Sequence, residues 1–158
     1  MRDAAQFVRD FQTYWRAPTL EGLDGMLTAD VVLRQPLAPS MRGLAHAKAG
    51  FARIFALLPD LHAEVDRWSA AGDAVFIEFR LIGTLGGRRV EWPAVDRFTL
   101  REGMATERVS YFDPTPLIAA LVGRPRAWPR FIRSGYWRAW IGGGGATRSP
   151  APMRKEGA

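Results

Sequence analysis

Asp96 is the residue whose setting in the sequence points most directly to chemistry. It lies within residues 90–100, which are rich in strand-forming residues and are predicted to be a β-strand. Side chains alternate between the two faces of a strand, so if Asp96 points inward, Trp92, Ala94 and Phe98 do too. A carboxyl group among such side chains is desolvated, which raises its pKa. Asp96 is therefore a candidate acid or base for proton transfer.

An ion pair is the alternative explanation for Asp96. Arg97 is its neighbour in the sequence, and Arg108 lies on the following predicted strand. Pairing with either guanidinium would keep the carboxylate ionised and would make its role structural. The sequence leaves both roles open.

The predicted strands on either side supply further side chains to the same face. On residues 104–112, alternation predicts that Arg108, Ser110 and Phe112 point inward with Asp96. On residues 74–84, the inward set is the wholly apolar one: Val75, Ile77, Phe79 and Leu81. The opposite set is mixed and is predicted to face outward: Phe76, Glu78 and Arg80.

The chain has few residues that could bind a metal ion and none that could form a disulfide. The sequence has no cysteine, which excludes disulfides and thiolate ligands, and only two histidines, His46 and His62. Zinc and non-haem iron sites draw on clusters of histidine, cysteine and carboxylate side chains. We therefore predict no metal and no other cofactor, and surface positions for the two histidines.

The elements that position these side chains fall into two blocks. Apolar residues recur at helical spacing early in the chain, which predicts helices over residues 3–16, 19–27 and 44–58. After residue 60, β-branched and aromatic residues alternate between glycine-containing turns. Strands are predicted at 31–36, 61–68, 74–84, 90–100 and 104–112, with a short helix at 117–122. Helices followed by an antiparallel meander predict an α+β fold.

Basic charge is concentrated at the carboxyl-terminal end. From residue 122 onward there are eight Lys and Arg residues and one acid, whereas residues 1–121 hold fourteen basic and fifteen acidic residues. A nearly neutral body argues against nucleic-acid binding. We divide the chain into a domain at 1–122, a Trp/Arg-rich extension at 123–141 and a disordered tail at 142–158. Packing of the extension on the body or on a partner copy, and contact with a membrane surface, both fit its composition.

The order and spacing of several short motifs resemble one known superfamily. The motifs are Ala29-Asp30-Val31-Val32, Leu58-Pro59-Asp60-Leu61, Gly72-Asp73, Val95-Asp96-Arg97-Phe98 and Tyr111-Phe112-Asp113. Over residues 4–121 the chain looks like a SnoaL-like or ketosteroid-isomerase-like member of the nuclear transport factor 2-like superfamily. The resemblance implies a cone-shaped α+β barrel, in which three N-terminal helices pack on a curved, mostly antiparallel sheet around an apolar pocket.

The resemblance also implies which residues form the pocket. Asp96 stands where this family places a catalytic aspartate, which is held protonated in ketosteroid isomerases and acts as a general acid or base in polyketide cyclases. The other residues that we expect to contact a ligand are Phe11, Tyr14, Trp15, Gln35, Phe79, Trp92, Arg108, Ser110 and Phe112. Relatives dimerise, so we also expect a homodimer formed through the outer sheet face.

Two positions depart from the ketosteroid isomerase pattern. Gln35 occupies the place of the aspartate that abstracts the proton, and an amide cannot accept that proton. Phe11 occupies the place of the oxyanion tyrosine, although Tyr14, one helical turn further on, could substitute for it. The sequence therefore argues against steroid isomerase activity.

Three functions are compatible with these observations. The first is acid-base chemistry of the isomerase, cyclase or hydratase type on an apolar, carbonyl-bearing ligand. The second is a non-catalytic ligand-binding or assembly domain, and the third is a membrane-associated accessory protein that acts through its basic aromatic extension. We expect a cytoplasmic location, because no signal peptide is recognisable and no apolar run approaches the roughly 20 residues of a membrane helix.

Overall fold

The computed structural model describes residues 3–138 and has an α+β fold. The helices of this part are α1 (Ala4–Arg16), α2 (Leu44–Leu57), α3 (Thr115–Val122) and α4 (Trp128–Ser134), with 3₁₀ helices at Glu21–Gly25 and Pro125–Ala127. Its strands are β1 (Leu27–Arg34), β2 (Met41–Arg42), β3 (His62–Ala71), β4 (Ala74–Leu85), β5 (Arg88–Arg101) and β6 (Met104–Phe112). The tail predicted at 142–158 lies outside the described residues.

The strands form one curved sheet in the order β2-β1-β6-β5-β4-β3. Neighbouring strands are antiparallel except β1 and β6, which run parallel. The β4–β5 hairpin turns at Gly86 and Gly87, whose φ angles of 61° and 78° are left-handed values that glycine adopts without steric cost. The hairpins place Asp96 opposite Ile77 on one side and opposite Ser110 on the other.

Helix α1 covers part of the concave face of this sheet. The Asp3 carboxylate caps the helix by accepting a hydrogen bond from the backbone N–H of Gln6 at 2.7 Å. The buried residues of α1 are Phe7, Val8, Phe11 and Trp15, whose spacing places them on one side of the helix. This stripe meets the aromatic side chains of the sheet and forms the main core with them. The predicted cone of N-terminal helices on a curved sheet is thus confirmed.

The structure differs from the sequence-based prediction between residues 19 and 42. The helix predicted at 19–27 is a 3₁₀ helix that ends at Gly25, and β1 begins at Leu27 where residue 31 was predicted. The backbone N–H of Ala105 donates to Met26 O at 2.8 Å, just ahead of the pairing of β1 with β6. Pairing with a distant strand therefore decides the conformation of this segment, which local sequence preferences do not reveal.

The extension packs on the body as far as it is described. Ala127 is buried, and α4 lies against α2. Of the alternatives considered for the extension, the structure shows packing against the body for residues 123–138. Within the described residues, no helix is long and apolar enough to cross a lipid bilayer.

The outer face of the sheet carries a ladder of exposed ion pairs. The pairs between neighbouring strands are Arg67–Glu78, Arg80–Glu64, Arg80–Asp66, Arg80–Glu91 and Arg97–Glu107. Two large apolar side chains, Phe76 and Tyr111, are exposed on the same face. The predicted outward orientation of Phe76, Glu78 and Arg80 is therefore confirmed, and we refer to this surface as the outer face below.

Candidate active site

A cavity lies between the concave sheet face and the helices that cover it. The space open to the centre of a water molecule is about 60 Å³, enough for a few waters. From the residues predicted for the site, the structure brings the following to the cavity wall: Trp15, Gln35, Phe79, Trp92, Asp96, Arg108, Ser110 and Phe112. Most of the remaining wall is apolar. The cavity is therefore mainly apolar, with a small cluster of polar side chains on one side.

Asp96 is the most deeply buried polar residue of this cluster, with 1% of its surface exposed. Alternation along β5 turns it inward, and the register with β6 places Ser110 directly opposite. The Ser110 hydroxyl donates a short hydrogen bond to Asp96 Oδ1. One carboxylate oxygen is thus held by a neighbouring strand, which orients the other, Oδ2.

Arg108 is the cation that faces this carboxyl group. Its Nε lies 3.1 Å from Asp96 Oδ2, but the N–H is not aligned well enough to form a hydrogen bond among the described residues. Its Nη2 donates to Gln35 Oε1 at 3.1 Å and to Ser110 Oγ at 3.3 Å. The guanidinium carbon lies 5.3 Å from the centre of the Phe51 ring, within the range of a cation–π contact. Arg108 therefore links Asp96, Ser110 and Gln35 in one network.

Burial raises the pKa of the Asp96 carboxyl group above its ordinary value. The positive charge of Arg108 and the hydrogen bond from Ser110 act in the opposite direction but do not cancel the effect of burial. Of the two ion-pair partners considered from the sequence, Arg108 is in contact with Asp96, whereas Arg97 pairs with Glu107 at 3.0 Å. The same carboxyl group is thus both desolvated and next to a cation.

Three buried polar atoms around the cavity have no hydrogen-bond partner within the described part of the chain. They are Asp96 Oδ2, Arg108 Nε and Trp92 Nε1. A further such atom, Arg97 Nε, belongs to a residue that does not line the cavity. An unsatisfied buried donor or acceptor typically costs about 1–3 kcal/mol. Asp96 Oδ2 and Arg108 Nε lie 3.1 Å from each other and attract each other as an ion pair, so Trp92 Nε1 is the atom of these three that has no polar partner within residues 3–138.

Phe11 and Tyr14 are not among the described residues that line the cavity. The Phe11 ring packs edge-on against Phe79 and Phe98, which directs it into the core behind the cavity. The Tyr14 hydroxyl donates to Thr19 O at 3.0 Å and so ties the end of α1 to the next turn. The resemblance implied that Phe11, Tyr14 and Trp15 contact a ligand. In the docked orientation of α1, Trp15 lines the cavity and the other two do not.

Sequence reasoning missed several residues of the cavity wall. From α2 and the segment before it, Met41, Gly50, Phe51 and Ile54 form one side of the wall. The apolar spacing of residues 44–58 predicted a helix, but not that this helix faces a cavity. Tyr136, from the extension, also lines the cavity, and no local pattern in the sequence indicated it.

A search of residues 3–138 finds no group of three or more His, Asp or Glu side chains that could hold a metal ion. The residues that line the cavity carry one carboxyl, one guanidinium, one amide, two indoles, from Trp15 and Trp92, and two hydroxyls, from Ser110 and Tyr136. This donor set suits a neutral or anionic organic ligand that accepts hydrogen bonds.

Solved structures with the same fold support this description of the architecture. A candidate SnoaL-like polyketide cyclase from Jannaschia sp. CCS1 is 22% identical, with a TM-score of 0.68 over 77% of this chain and 93% of that one. A protein with a ketosteroid isomerase-like fold from Catenulispora acidiphila, crystallised with trimethylamine, is 21% identical, with a TM-score of 0.68 over 78% and 96% of the two chains. IdmH, a candidate polyketide cyclase from Streptomyces antibioticus, is 19% identical, with a TM-score of 0.68 over 77% and 99%.

Sequence comparison shows the family to which the chain belongs. A search of curated proteins finds no match. The family model of the SnoaL-like domain matches residues 8–108, which include most of α1, all of α2 and Asp96. Since this match spans more than half of the sequence and agrees with the fold, the chain belongs to the SnoaL-like domain family.

Proposed function

We propose that this protein binds an apolar, carbonyl-bearing small molecule in the cavity and that Asp96 exchanges a proton with it. The observation that carries the proposal is the state of Asp96: a fully buried carboxyl group with a raised pKa on the cavity wall, whose Oδ2 lies 3.1 Å from Arg108 Nε without an aligned hydrogen bond. Such a group can hold or release a proton under conditions in which a surface aspartate is always ionised.

The proposed step takes place at the carbon next to the carbonyl group of the ligand. Oδ2 of the ionised carboxylate removes a hydrogen from that carbon, and the electron pair of the C–H bond shifts towards the carbonyl oxygen. The enolate oxygen then carries negative charge, which the Arg108 guanidinium and the Trp92 N–H are placed to stabilise. Protonated Asp96 returns the proton to the same carbon or to another one, and the second outcome is an isomerisation.

The neighbours of Asp96 have supporting roles in this proposal. Ser110 holds Oδ1, so that Oδ2 is the oxygen proposed to react, and Gln35 orients Arg108 by accepting a hydrogen bond from its Nη2. Because the Gln35 amide cannot take a proton, Asp96 is the group proposed to act as both base and acid. One residue that performs both steps is sufficient when the proton returns on the same face of the ligand.

Hydrogen exchange at carbon tests the proposal without knowledge of the natural substrate. 1-Indanone presents a carbonyl group on a small apolar skeleton, and its hydrogens next to the carbonyl exchange in D₂O when a base removes them. We expect the protein to accelerate deuterium uptake there, measured by mass spectrometry, and Asp96→Asn to abolish the acceleration. Glu91→Gln, on the opposite face of β5, is the matched control and should behave as wild type. Equal acceleration by wild type and Asp96→Asn contradicts the role of Asp96.

A non-catalytic ligand-binding or assembly role is the second candidate. It is favoured by the contact between Asp96 and Arg108 and by the amide at Gln35, where ketosteroid isomerases carry a base. Under this alternative, 1-indanone binds to the wild-type protein but exchanges no faster than in buffer. The same experiment therefore separates the two candidates.

We also propose that two copies associate through the outer face. Phe76 and Tyr111 are exposed there, on either side of β5, and the surrounding ion pairs leave the face with both signs of charge interspersed. Sedimentation analysis is expected to show a dimer that Phe76→Glu converts to a monomer. A wild-type monomer at all concentrations contradicts this proposal.

We also propose that the extension contacts membrane surfaces through its exposed apolar side chains. Trp128 and Ile132 are exposed on α4, one helical turn apart, and Arg126 and Arg130 are exposed beside them. Vesicles with anionic lipids should then bind the wild type more strongly than Trp128→Ser. Equal binding contradicts this role of the extension. The cytoplasmic location stays a prediction from the sequence.

A further inference from the structure

The extension is tied to the body at a defined point, the β4–β5 hairpin. The Arg124 guanidinium donates to the backbone oxygens of Leu85 at 3.0 Å, Arg88 at 3.1 Å and Arg89 at 3.3 Å. A Cβ atom on Gly86 would lie only 3.1 Å from Arg124 Cβ, so the two segments are in close contact. Three hydrogen bonds from one charged side chain make this a specific attachment and not an incidental contact.

From this attachment the chain runs along α2 and turns towards the cavity. Helix α4 ends at Ser134, and the next residue, Gly135, has a φ of 68°, the left-handed value of a common helix stop. The turn is held by Ser134, whose Oγ accepts a hydrogen bond from the backbone N–H of Tyr136 at 3.2 Å and donates to Phe131 O at 2.8 Å. The sequence Ser134-Gly135-Tyr136 therefore directs the tyrosine back onto the body.

The Tyr136 side chain contributes to the same cavity wall as Asp96 and Arg108. It also packs against the main core, as does Phe131 one turn earlier. Burial raises the pKa of the Tyr136 hydroxyl, and the nearby positive charge of Arg108 opposes this only in part. The hydroxyl thus stays protonated and can donate a hydrogen bond.

We infer that residues 123–138 complete the ligand pocket, and that the Tyr136 hydroxyl donates a hydrogen bond to an oxygen atom of the ligand. The inference rests on the proposed function, because it requires a ligand in this cavity. The extension lies beyond residues 8–108, which the family model of the SnoaL-like domain matches. Tyr136 is a binding residue in this scheme and takes no part in the proton transfer.

A matched pair of probes tests the hydroxyl separately from the shape of the pocket. 1-Indanone carries a carbonyl oxygen, whereas indane has the same carbon skeleton without it. We expect Tyr136→Phe to weaken 1-indanone binding about five- to tenfold and to leave indane binding unchanged, since one hydrogen bond is lost and no volume is added. Ligand-observed NMR titration gives both dissociation constants. Tyr111→Phe, the same change on the outer face, is the control and should alter neither.

The outcomes separate this inference from the proposed function. Equal weakening of both probes, or no weakening of either, overturns the role of the Tyr136 hydroxyl. If in addition deuterium uptake still depends on Asp96, only this inference fails. If binding of 1-indanone depends on Tyr136 but deuterium uptake does not depend on Asp96, the proton transfer fails and the pocket wall stands. A wild-type protein that binds neither probe overturns both.

Discussion

Two carboxylates on β5 show how strongly exposure to water affects the pKa of a carboxyl group. Glu91 lies on the outer face, where hydrogen bonds from Arg89 and Arg80 lower its pKa. Asp96 lies five positions further on and points into the cavity, where burial raises its pKa although Arg108 is close. Both acids have an arginine beside them, so the presence of a cation does not distinguish them. The difference is desolvation, which is large on one face of the strand and almost absent on the other.

The largest difference in stability between the two faces is expected for substitutions of their apolar residues. Phe98 is 2% exposed and lies with its ring centre 5.0 Å from that of Phe7, whereas Phe76 is 38% exposed on the outer face. Phe98→Ala should lower the free energy of unfolding by about 3–5 kcal/mol, because it leaves a cavity in the core. Phe76→Ala should cost less than about 1 kcal/mol under conditions where the protein is monomeric. Urea denaturation measures both, and equal losses contradict the assignment of the faces.

The second largest difference in stability is expected between substitutions of arginines on the two faces of the sheet. Arg108→Met removes the partner of a buried carboxyl group and should lower the free energy of unfolding by about 3 kcal/mol at pH 8. The loss should be smaller at pH 5, because Asp96 can take up a proton once the cation is gone. Arg67→Met, at a side chain that is 78% exposed, should give no measurable change at either pH. A pH-independent loss for Arg108→Met contradicts the proposed state of Asp96.

The pH dependence of stability should have opposite signs for the two carboxylates. The unfolded chain releases the Asp96 proton near the ordinary value of 3.8, while the folded protein retains it to higher pH. The stability of wild type relative to Asp96→Asn should therefore fall as the pH rises above 3.8, by at most about 1.4 kcal/mol per pH unit. Relative to Glu91→Gln, wild type should instead lose stability as the pH falls below the ordinary value of 4.5. Denaturation curves from pH 3 to 8 measure both pH dependences. If both have the same sign, the two carboxylates do not differ in the proposed way.

The smallest expected effect is the response to salt. In 1 M NaCl the screening length is about 3 Å, so exposed ion pairs such as Arg67–Glu78 should contribute even less than at low salt. The stability difference caused by Glu91→Gln should shrink, whereas that caused by Arg108→Met should persist, because ions do not enter the buried cluster. Thermal unfolding at two salt concentrations checks this. A salt-sensitive Arg108→Met variant would show that water and ions reach Asp96.

Local patterns made much of this fold and part of the site predictable. Glycines at 72, 86 and 103 mark the hairpins, and alternation along β5 and β6 correctly turned Asp96, Arg108 and Ser110 to one face. The expectation that Phe11 and Tyr14 contact a ligand came from the resemblance. The structure places both elsewhere, because neither the motifs nor the helical stripe fix the rotation of α1 relative to the cavity. The apolar stripe of a helix is wide enough to face both a core and a cavity. Which of its residues reach the cavity depends on how the helix packs on the sheet.

The sequence by itself determined the α+β class, the order of the hairpins and the inward face of the strands, because each follows from contacts between neighbours along the chain. The tertiary structure alone decided which cation faces Asp96, where β1 begins, and that Tyr136 reaches the cavity. These features join residues that are far apart in the sequence, and no local propensity records such pairings. The pKa of Asp96 belongs to the second group, because it depends on how completely distant segments exclude water.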